Sequence, residues 1–281
     1  MDPYSGPIRG LDPAAFVSNG GNILPIQVQG TFDDCQQLIA GAICDREFSA
    51  RHNLTSANTI NPGRLLPQVF YYLYAFIKAK RRLSGDLAFS VPCGNFGNLM
   101  AGLYAWKFGL PVNGFVAAMN SNNTLGDFIK GGSFSPRPLV RTSSPAMDVR
   151  LPSNLGRLDS FCREAPAVMR NMVCPASIDD DLTLKTMGNV WRKYRRLIDP
   201  HTAVAFAAAE RTAFAQGWKG HTHTVVLATM HYAKDMDLAY RATSERVSIP
   251  ERFLYIRNKV NPTVIIPPRL DQFKGVIAGC V

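Results

Sequence analysis

The segment Gly94-Asn95-Phe96-Gly97-Asn98, called the glycine loop below, has residue types and a spacing suited to binding an anion. Its two glycines permit positive φ angles and a close approach of the backbone to a ligand. A strand-like run precedes the loop and a helix-like run follows it, so the loop lies at a helix N-terminus, where backbone N–H groups favour a phosphate group. The side chains of Asn95 and Asn98 can donate further hydrogen bonds. A plain turn that needs Gly and Asn for its geometry alone is the alternative.

Two further segments carry side chains that could face a ligand. Residues 55–61, followed by Arg64, concentrate hydroxyl, amide and guanidinium groups before a predicted helix. Thr229 follows a buried strand pattern, and ligands of open α/β sheets bind at the carboxyl ends of strands. A hydroxyl at that position could meet a ring nitrogen. Each segment also fits a structural role, as a capped loop or an ordinary strand end. No Cys or His spacing is typical of a zinc site, so we expect no metal.

Composition and charge restrict the possible classes of function. The chain has 281 residues, of which 46% are hydrophobic and 19% charged, and this excludes an intrinsically disordered protein. No run of about 18 apolar residues occurs, which argues against a membrane span. The net charge of +10 could attract nucleic acid, but the basic residues are not interleaved with aromatic residues, so we do not expect nucleic-acid binding. No Cys-x-x-Cys pair occurs, so we expect free thiols, and no apolar signal core follows Met1. Both observations predict a cytoplasmic protein.

Alternating strand and helix patterns predict an α/β fold with a parallel sheet and right-handed crossovers. Residues 120–154 have the composition of a loop, and residues 155–196 have a helical, charged pattern. We expect strands at residues 22–29, 87–91, 114–119 and 224–229. Helices are expected after Thr31 as N-cap, over residues 63–80 and 99–108, and from Pro200 to Ala215 with Asp199 as N-cap.

Taken in this order, the segments resemble threonine synthase, a family of pyridoxal phosphate (PLP) enzymes with the type II fold. The resemblance extends from about residue 5 to about residue 240 and rests on several motifs in register. The stronger motifs are Ser56-Ala57-Asn58-Thr59-Ile60-Asn61 with Arg64, Gln68 and Tyr71-Tyr72, and Val91-Pro92-Cys93 running into the glycine loop, with Ala101-Gly102. The weaker motifs are Gly109-Leu110-Pro111, Ala146-Met147-Asp148 and Pro200-His201-Thr202-Ala203-Val204.

The resemblance implies a fold and a reaction. The fold is a PLP type II parallel sheet flanked by helices, resembling the tryptophan synthase β chain and truncated at its N-terminus. We expect a remnant of a small subdomain at residues 1–50, a large PLP-binding domain at 51–248 and a tail at 249–281. The reaction converts O-phosphohomoserine and water into L-threonine and phosphate, in threonine biosynthesis, by a lyase in which PLP accepts electrons from carbanions.

The resemblance also implies roles for particular residues. The PLP phosphate would be held by Gly94, Asn95, Phe96, Gly97 and Asn98, and Thr229 would face the pyridine nitrogen. The substrate, a small phosphorylated amino acid, would be bound by Asn58, Asn61 and Arg64, with Arg64 pairing with an anionic group.

The sequence departs from the family where the catalytic lysine belongs. Threonine synthases carry their Schiff-base lysine in a Phe-Lys-Asp segment upstream of the matched region, followed by a Ser-Gly-Asp-Thr loop, and neither occurs here. Lys234 is not expected to substitute, because it aligns with the stretch after the pyridine-facing Thr. We therefore assign no catalytic residue and expect a chain that is inactive by itself. The alternatives are a non-catalytic protein that binds PLP or phosphate, and one part of a split enzyme whose other chain carries the lysine segment.

Overall fold

The computed structural model describes residues 23–131, 134–215, 221–251 and 264–279. They divide into two compact units: a smaller one from the described parts of residues 1–57, 233–235 and 248–281, and a larger one from the described parts of residues 58–232 and 236–247. The division at residues 50 and 248 expected from the sequence stays a prediction. Residues 1–22 of the expected N-terminal subdomain, with the start of its first strand, lie outside the described residues.

Six strands and twelve helices are described in these ranges. The strands are β1 (Ile26–Val28), β2 (Asp86–Pro92), β3 (Gly114–Met119), β4 (Val173–Ser177), β5 (Thr222–Val226) and β6 (Val264–Ile266). The helices are α1 (Phe32–Cys44), α2 (Arg46–Arg51), α3 (Pro62–Leu65), α4 (Val69–Ala79), α5 (Gly97–Lys107), α6 (Leu125–Gly131), α7 (Leu155–Glu164), α8 (Pro166–Met172), α9 (Asp180–Tyr194), α10 (Pro200–Ala215), α11 (Met236–Thr243) and α12 (Leu270–Ala278). Short 3₁₀ turns occupy Leu66–Gln68, Pro145–Met147 and Tyr232–Lys234.

The larger unit is built on a four-stranded sheet with the strand order β4-β3-β2-β5. Every neighbouring pair is parallel, and Ala88 of β2 lies opposite Gly114 on one side and Thr224 on the other. The central strand β3 is buried along its whole length, as expected where helices cover both faces of a parallel sheet. The prediction of an α/β fold with a parallel sheet is confirmed.

Three buried aromatic side chains link this sheet to helix α4. The ring of Tyr72 lies edge-on to Phe89 of β2 and Phe115 of β3, with centroid distances of 4.9 and 6.0 Å. Edge-to-face contacts of this kind are favoured by the ring quadrupoles. The Tyr72 hydroxyl donates to the backbone carbonyl of Asn98 at 2.7 Å. The hydrophobic core therefore supports the end of the glycine loop directly.

In the smaller unit, β1 pairs in parallel with β6, and Ile26 lies opposite Val264. Helix α1 begins at the predicted Thr31, whose hydroxyl accepts a bond from the Asp34 N–H while the Asp34 carboxylate accepts one from the Thr31 N–H. This reciprocal capping box satisfies two donors that a helix start leaves open. No described helix is long and apolar enough to cross a membrane.

Several predicted boundaries were wrong. The helix predicted over residues 63–80 is interrupted by the 3₁₀ turn at Leu66–Gln68, because Pro67 has no N–H for a helical bond. The predicted loop at 120–154 contains α6, and the predicted helical stretch at 155–196 contains β4. Strand β4 includes Pro175, which is tolerated because β4 is the edge strand of the sheet that the described residues form. The strand predicted at 224–229 ends at Val226.

We expect Gly102→Ala to lower the free energy of unfolding by about 1–3 kcal/mol, because overpacking a filled core strains it. A Cβ at Gly102 of α5 would lie 2.7 Å from Phe115 Cε1 and 2.8 Å from Tyr72 Cε1. The matched control is Gly156→Ala on α7, where a Cβ would meet no atom within 4 Å. There the gain in helix propensity should raise the free energy of unfolding by about 0.5–1 kcal/mol. Urea unfolding followed by circular dichroism measures both, and equal effects would contradict the packing described.

Candidate functional site

The glycine loop connects the end of β2 to the start of α5. Phe96 has φ 57° and ψ 0°, a left-handed conformation that costs a non-glycine residue about 1 kcal/mol or more. The Phe96 side chain is only 3% exposed and packs into the main core. Burial of this ring therefore holds the backbone in a conformation that it would not adopt in a free loop.

The backbone N–H groups of residues 94–99 find no acceptor among the residues that the structure describes. The groups on either side are satisfied: Cys93 donates to the Ala118 carbonyl at 2.7 Å, and Met100 donates to the Phe96 carbonyl at 2.9 Å. The open donors lie at the start of α5, the positive end of its macrodipole. A run of open N–H groups at such a position suits the oxygens of a phosphate group.

Both asparagines of the loop are oriented by bonds to their side-chain oxygens. Asn95 Oδ1 accepts from the Ser153 N–H at 2.5 Å. Asn98 Oδ1 lies 2.9 Å from the Tyr72 hydroxyl, which shares its one proton between this oxygen and the Asn98 carbonyl. Because each oxygen is used in this way, the side-chain NH₂ groups are the parts left to bind an anion. The donation that the sequence predicted for these two residues is compatible with this geometry.

A polar clamp joins residues 59–60 to the glycine loop. Asn154, fully buried, donates from Nδ2 to Thr59 Oγ1 at 2.8 Å and to the Asn95 carbonyl at 3.0 Å. Arg157 donates to the Thr59 carbonyl at 2.7 Å and to the Ile60 carbonyl at 2.5 Å. A Cβ on Gly97 would lie 2.6 Å from Thr59 Oγ1, so the two segments are in close contact. Two segments that the sequence indicated separately are thus in contact.

Sequence reasoning missed Asn154 and Arg157. Asn154 precedes α7 and Arg157 lies in its first turn, three positions later, where both side chains share one helix face. The Arg157 Nη1 group also donates to Asn154 Oδ1 at 2.5 Å. The available signal was an amide at the N-cap of the helix followed by a guanidinium in its first turn. A charged residue in a charged helix, however, more often faces solvent.

The predicted substrate residues lie at the start of α3. Asn58 Oδ1 accepts weakly from the Ile60 N–H at 3.4 Å, and Asn61 Oδ1 caps the helix by accepting from the Gly63 N–H at 2.9 Å. Arg64 is exposed. Asn61 therefore has a structural role as N-cap, and the substrate roles of these three residues stay predictions.

Thr229 and the glycine loop leave the same edge of the sheet. Beyond the end of β5, the Leu227 N–H still donates to the Ser90 carbonyl of β2 at 3.0 Å, so the two chains continue side by side. Thr229 follows two residues later, with an exposed side chain. Its proposed contact with a ring nitrogen stays a prediction. Lys234 is exposed in the 3₁₀ turn at Tyr232–Lys234.

Cys93, immediately before the loop, is a packing residue. Its side chain is buried, and loss of hydration raises the pKa of the thiol well above its usual range. The thiol is therefore neutral and unreactive at physiological pH. Among the described residues, no three His, Cys, Asp or Glu side chains are grouped so that they could hold a metal ion.

Comparison with solved structures defines the class of protein. The crystal structure of threonine synthase from Escherichia coli has a TM-score of 0.86 at 32% identity, and the match covers 95% of this chain and 60% of that one. PLP-bound threonine synthase from Brucella melitensis gives a TM-score of 0.80 at 27% identity. The chain therefore has the fold of type II PLP-dependent enzymes, which confirms the predicted fold class.

Sequence comparison finds threonine synthases among the relatives of this chain. The chain is a homologue of threonine synthase: it is 34% identical over 272 residues to the enzyme of Buchnera aphidicola (subsp. Schizaphis graminum), a match that covers 96% of this chain and 61% of the relative. It is 36% identical over 246 residues to the enzyme of Escherichia coli K12, covering 88% of this chain and 56% of the relative. The resemblance is confirmed, and the chain spans about 60% of the length of these relatives. No family model matches the chain.

We expect Asn154→Ala to lower the free energy of unfolding by about 1–3 kcal/mol, because it leaves buried polar groups without partners. The matched control is Asn189→Ala on α9, where the exposed side chain accepts a single bond from Arg192. That change should stay within about 0.5 kcal/mol. Chemical unfolding gives both values. The clamp would be refuted by an Asn154 variant as stable as the Asn189 variant, with unchanged amide exchange at residues 59–60.

Proposed function

We propose that this chain binds pyridoxal 5'-phosphate by its phosphate group at the glycine loop and supplies the cofactor-binding and substrate-binding part of a threonine synthase. The observation that carries the proposal is the run of open backbone N–H groups at residues 94–99, in a homologue of PLP-dependent enzymes. These donors fit the phosphate of PLP in number and charge preference. The reaction is that of the family, O-phosphohomoserine and water giving L-threonine and phosphate.

The chain's own residues have separate tasks in this proposal. The loop N–H groups and the amides of Asn95 and Asn98 bind the phosphate, while Asn154 keeps the loop in place. Thr229, on the neighbouring strand end, donates or accepts a hydrogen bond at the pyridine nitrogen. When bound, PLP supplies an electron sink for negative charge that develops on carbon.

The substrate proposal rests on residues 58–64 beside the glycine loop. The exposed guanidinium of Arg64 can form a two-pronged interaction with a carboxylate or phosphate. Asn58 and Asn61 border the same segment, which the clamp holds against the loop. A small phosphorylated amino acid presents two anionic groups to such a site.

We also propose that catalysis requires a lysine from a complementing chain. No lysine in this sequence lies in a segment that matches the family's Schiff-base motif. PLP can be bound through its phosphate without that lysine. The covalent chemistry of the family, however, requires a lysine amine that bonds to the cofactor aldehyde.

Binding of PLP should be saturable and phosphate-dependent. We expect PLP to bind at least about tenfold more tightly than pyridoxal, which lacks the phosphate, and to be displaced by inorganic phosphate. Gly97→Ala should weaken PLP binding by a similar factor, because its Cβ would press on Thr59. Gly275→Ala on α12, where a Cβ meets nothing within 4 Å, is the control and should bind as wild type. Equilibrium dialysis measures all of these, and equal affinity for PLP and pyridoxal would overturn the assignment.

Phosphate release from O-phosphohomoserine tests the requirement for a second chain. The chain alone should release none above background, and co-expression with the lysine-bearing N-terminal segment of the Escherichia coli relative should restore release. Phosphate-dependent PLP binding without release in either case would support the non-catalytic alternative. Release by the chain alone that is abolished in Lys234→Ala would show that Lys234 acts as the Schiff-base residue, against our assignment.

A further inference from the structure

The Pro145–Met147 turn lies directly behind the glycine loop. A Cβ on Gly94 would lie 2.9 Å from the Met147 Cα and 3.0 Å from the Ala146 carbonyl oxygen. Both neighbours are backbone atoms, so neither can move aside by a change of side-chain rotamer. Met147 is itself buried in a second core cluster. The position of this turn therefore sets the position of Gly94, the first residue of the loop.

A buried histidine holds the middle of the turn. The Ala146 N–H donates to His201 Nε2 at 3.1 Å, and His201 is 2% exposed. A backbone N–H can only donate, so Nε2 must be the unprotonated nitrogen of a neutral imidazole. The proton is then on Nδ1, which donates to Asp199 Oδ1 at 2.8 Å.

Asp199 fixes this tautomer. Its buried carboxylate accepts from the backbone N–H of His201 at 2.9 Å and also from the Thr202 hydroxyl. Burial by itself would raise the pKa of Asp199, but the hydrogen bonds from His201 and Thr202 outweigh it and hold the pKa below its ordinary value. A charged carboxylate on Nδ1–H is the usual device that orients an imidazole and defines its acceptor nitrogen.

The following residue, Asp148, is held by an independent set of bonds. Its carboxylate accepts from the Thr142 hydroxyl at 2.7 Å and from Asn120 Nδ2 at 2.8 Å. These bonds fix where the chain leaves the turn, but they do not reach Ala146. Among the described residues, His201 is the acceptor that the structure gives to the Ala146 N–H.

We propose that His201 is a positioning residue for the anion site: by accepting the Ala146 N–H it keeps the Pro145–Met147 turn against Gly94 and so holds the glycine loop in its phosphate-binding form. The inference rests on the proposed function for its ligand, and on the contacts above for its geometry. It connects two sequence motifs to which the PLP and substrate roles assign nothing, Ala146-Met147-Asp148 and Pro200-His201-Thr202.

Two substitutions of His201 distinguish the contribution of Nε2 from that of Nδ1. His201→Gln places a carbonyl oxygen where Nε2 lies and can still accept the Ala146 N–H. His201→Asn keeps an amide donor near Asp199 but has no acceptor that reaches Ala146. We expect His201→Asn to weaken PLP binding by about tenfold or more and leave pyridoxal binding unchanged, whereas His201→Gln stays within about threefold of wild type.

Amide hydrogen exchange in the free protein gives a readout that does not depend on PLP. His201→Asn should accelerate exchange at Ala146, and His201→Gln should not. Unchanged exchange at Ala146 in His201→Asn, or equal PLP affinities for the two variants, overturns the positioning role. If the exchange difference is found but wild type does not bind PLP, the positioning contact stands and the proposed function fails.

A variant on the loop side covers the case in which His201→Asn does not fold. Gly94→Ala pushes the loop away from the turn while His201 stays intact, because the added Cβ cannot fit against Met147. It should lose PLP affinity to a similar extent and retain pyridoxal affinity. Wild-type PLP affinity in Gly94→Ala would show that the turn does not set the loop, and would overturn the proposal.

Discussion

Backbone N–H groups that find no acceptor among the described residues are the constraint around which this structure is organised. A folded protein satisfies nearly all such groups or leaves them open to solvent or ligand. At residues 94–99 the left-handed Phe96 turns the chain from strand to helix, and the N–H groups of this segment make no hydrogen bond to a described residue. The buried aromatic ring of Phe96 and the bonds around the loop counteract the tendency of the segment to relax. Local strain that neighbouring packing maintains is typical of binding sites.

The loop is held from two directions, and both supports come from helix starts. Asn154, before α7, bonds the Asn95 carbonyl, and His201, in the first turn of α10, holds the turn behind Gly94. In a parallel α/β sheet the helices run opposite to the strands, so their N-termini collect at the carboxyl edge where ligands bind. The side chains at these helix starts can therefore reach the loop across short distances, although they are far from it in sequence.

Local patterns were sufficient to predict the centre of the fold. The strands β2 and β3 and the helix α5 were predicted to within about two residues, because a buried apolar run and two glycines leave few alternatives. The strand β4 was missed, since Pro175 opposes a strand assignment and only its place at the sheet edge makes that proline acceptable. The roles of Asn154, Arg157 and His201 could not be predicted from the sequence. Each depends on a partner 55 or more positions away, as Ala146 is from His201.

Anchoring a cofactor and reacting with it can be separate properties of a PLP fold. The residues proposed to hold the phosphate, the ring nitrogen and the substrate all fall between Asn58 and Tyr232, within the larger compact unit. The interactions that support the loop, from Tyr72, Asn154 and His201, also lie inside that unit. The support for the proposed phosphate site therefore comes from one compact unit, and no contact among the described residues brings a lysine amine to the loop. In the function proposed above, this unit supplies the binding step, and the amine for covalent chemistry comes from a complementing chain.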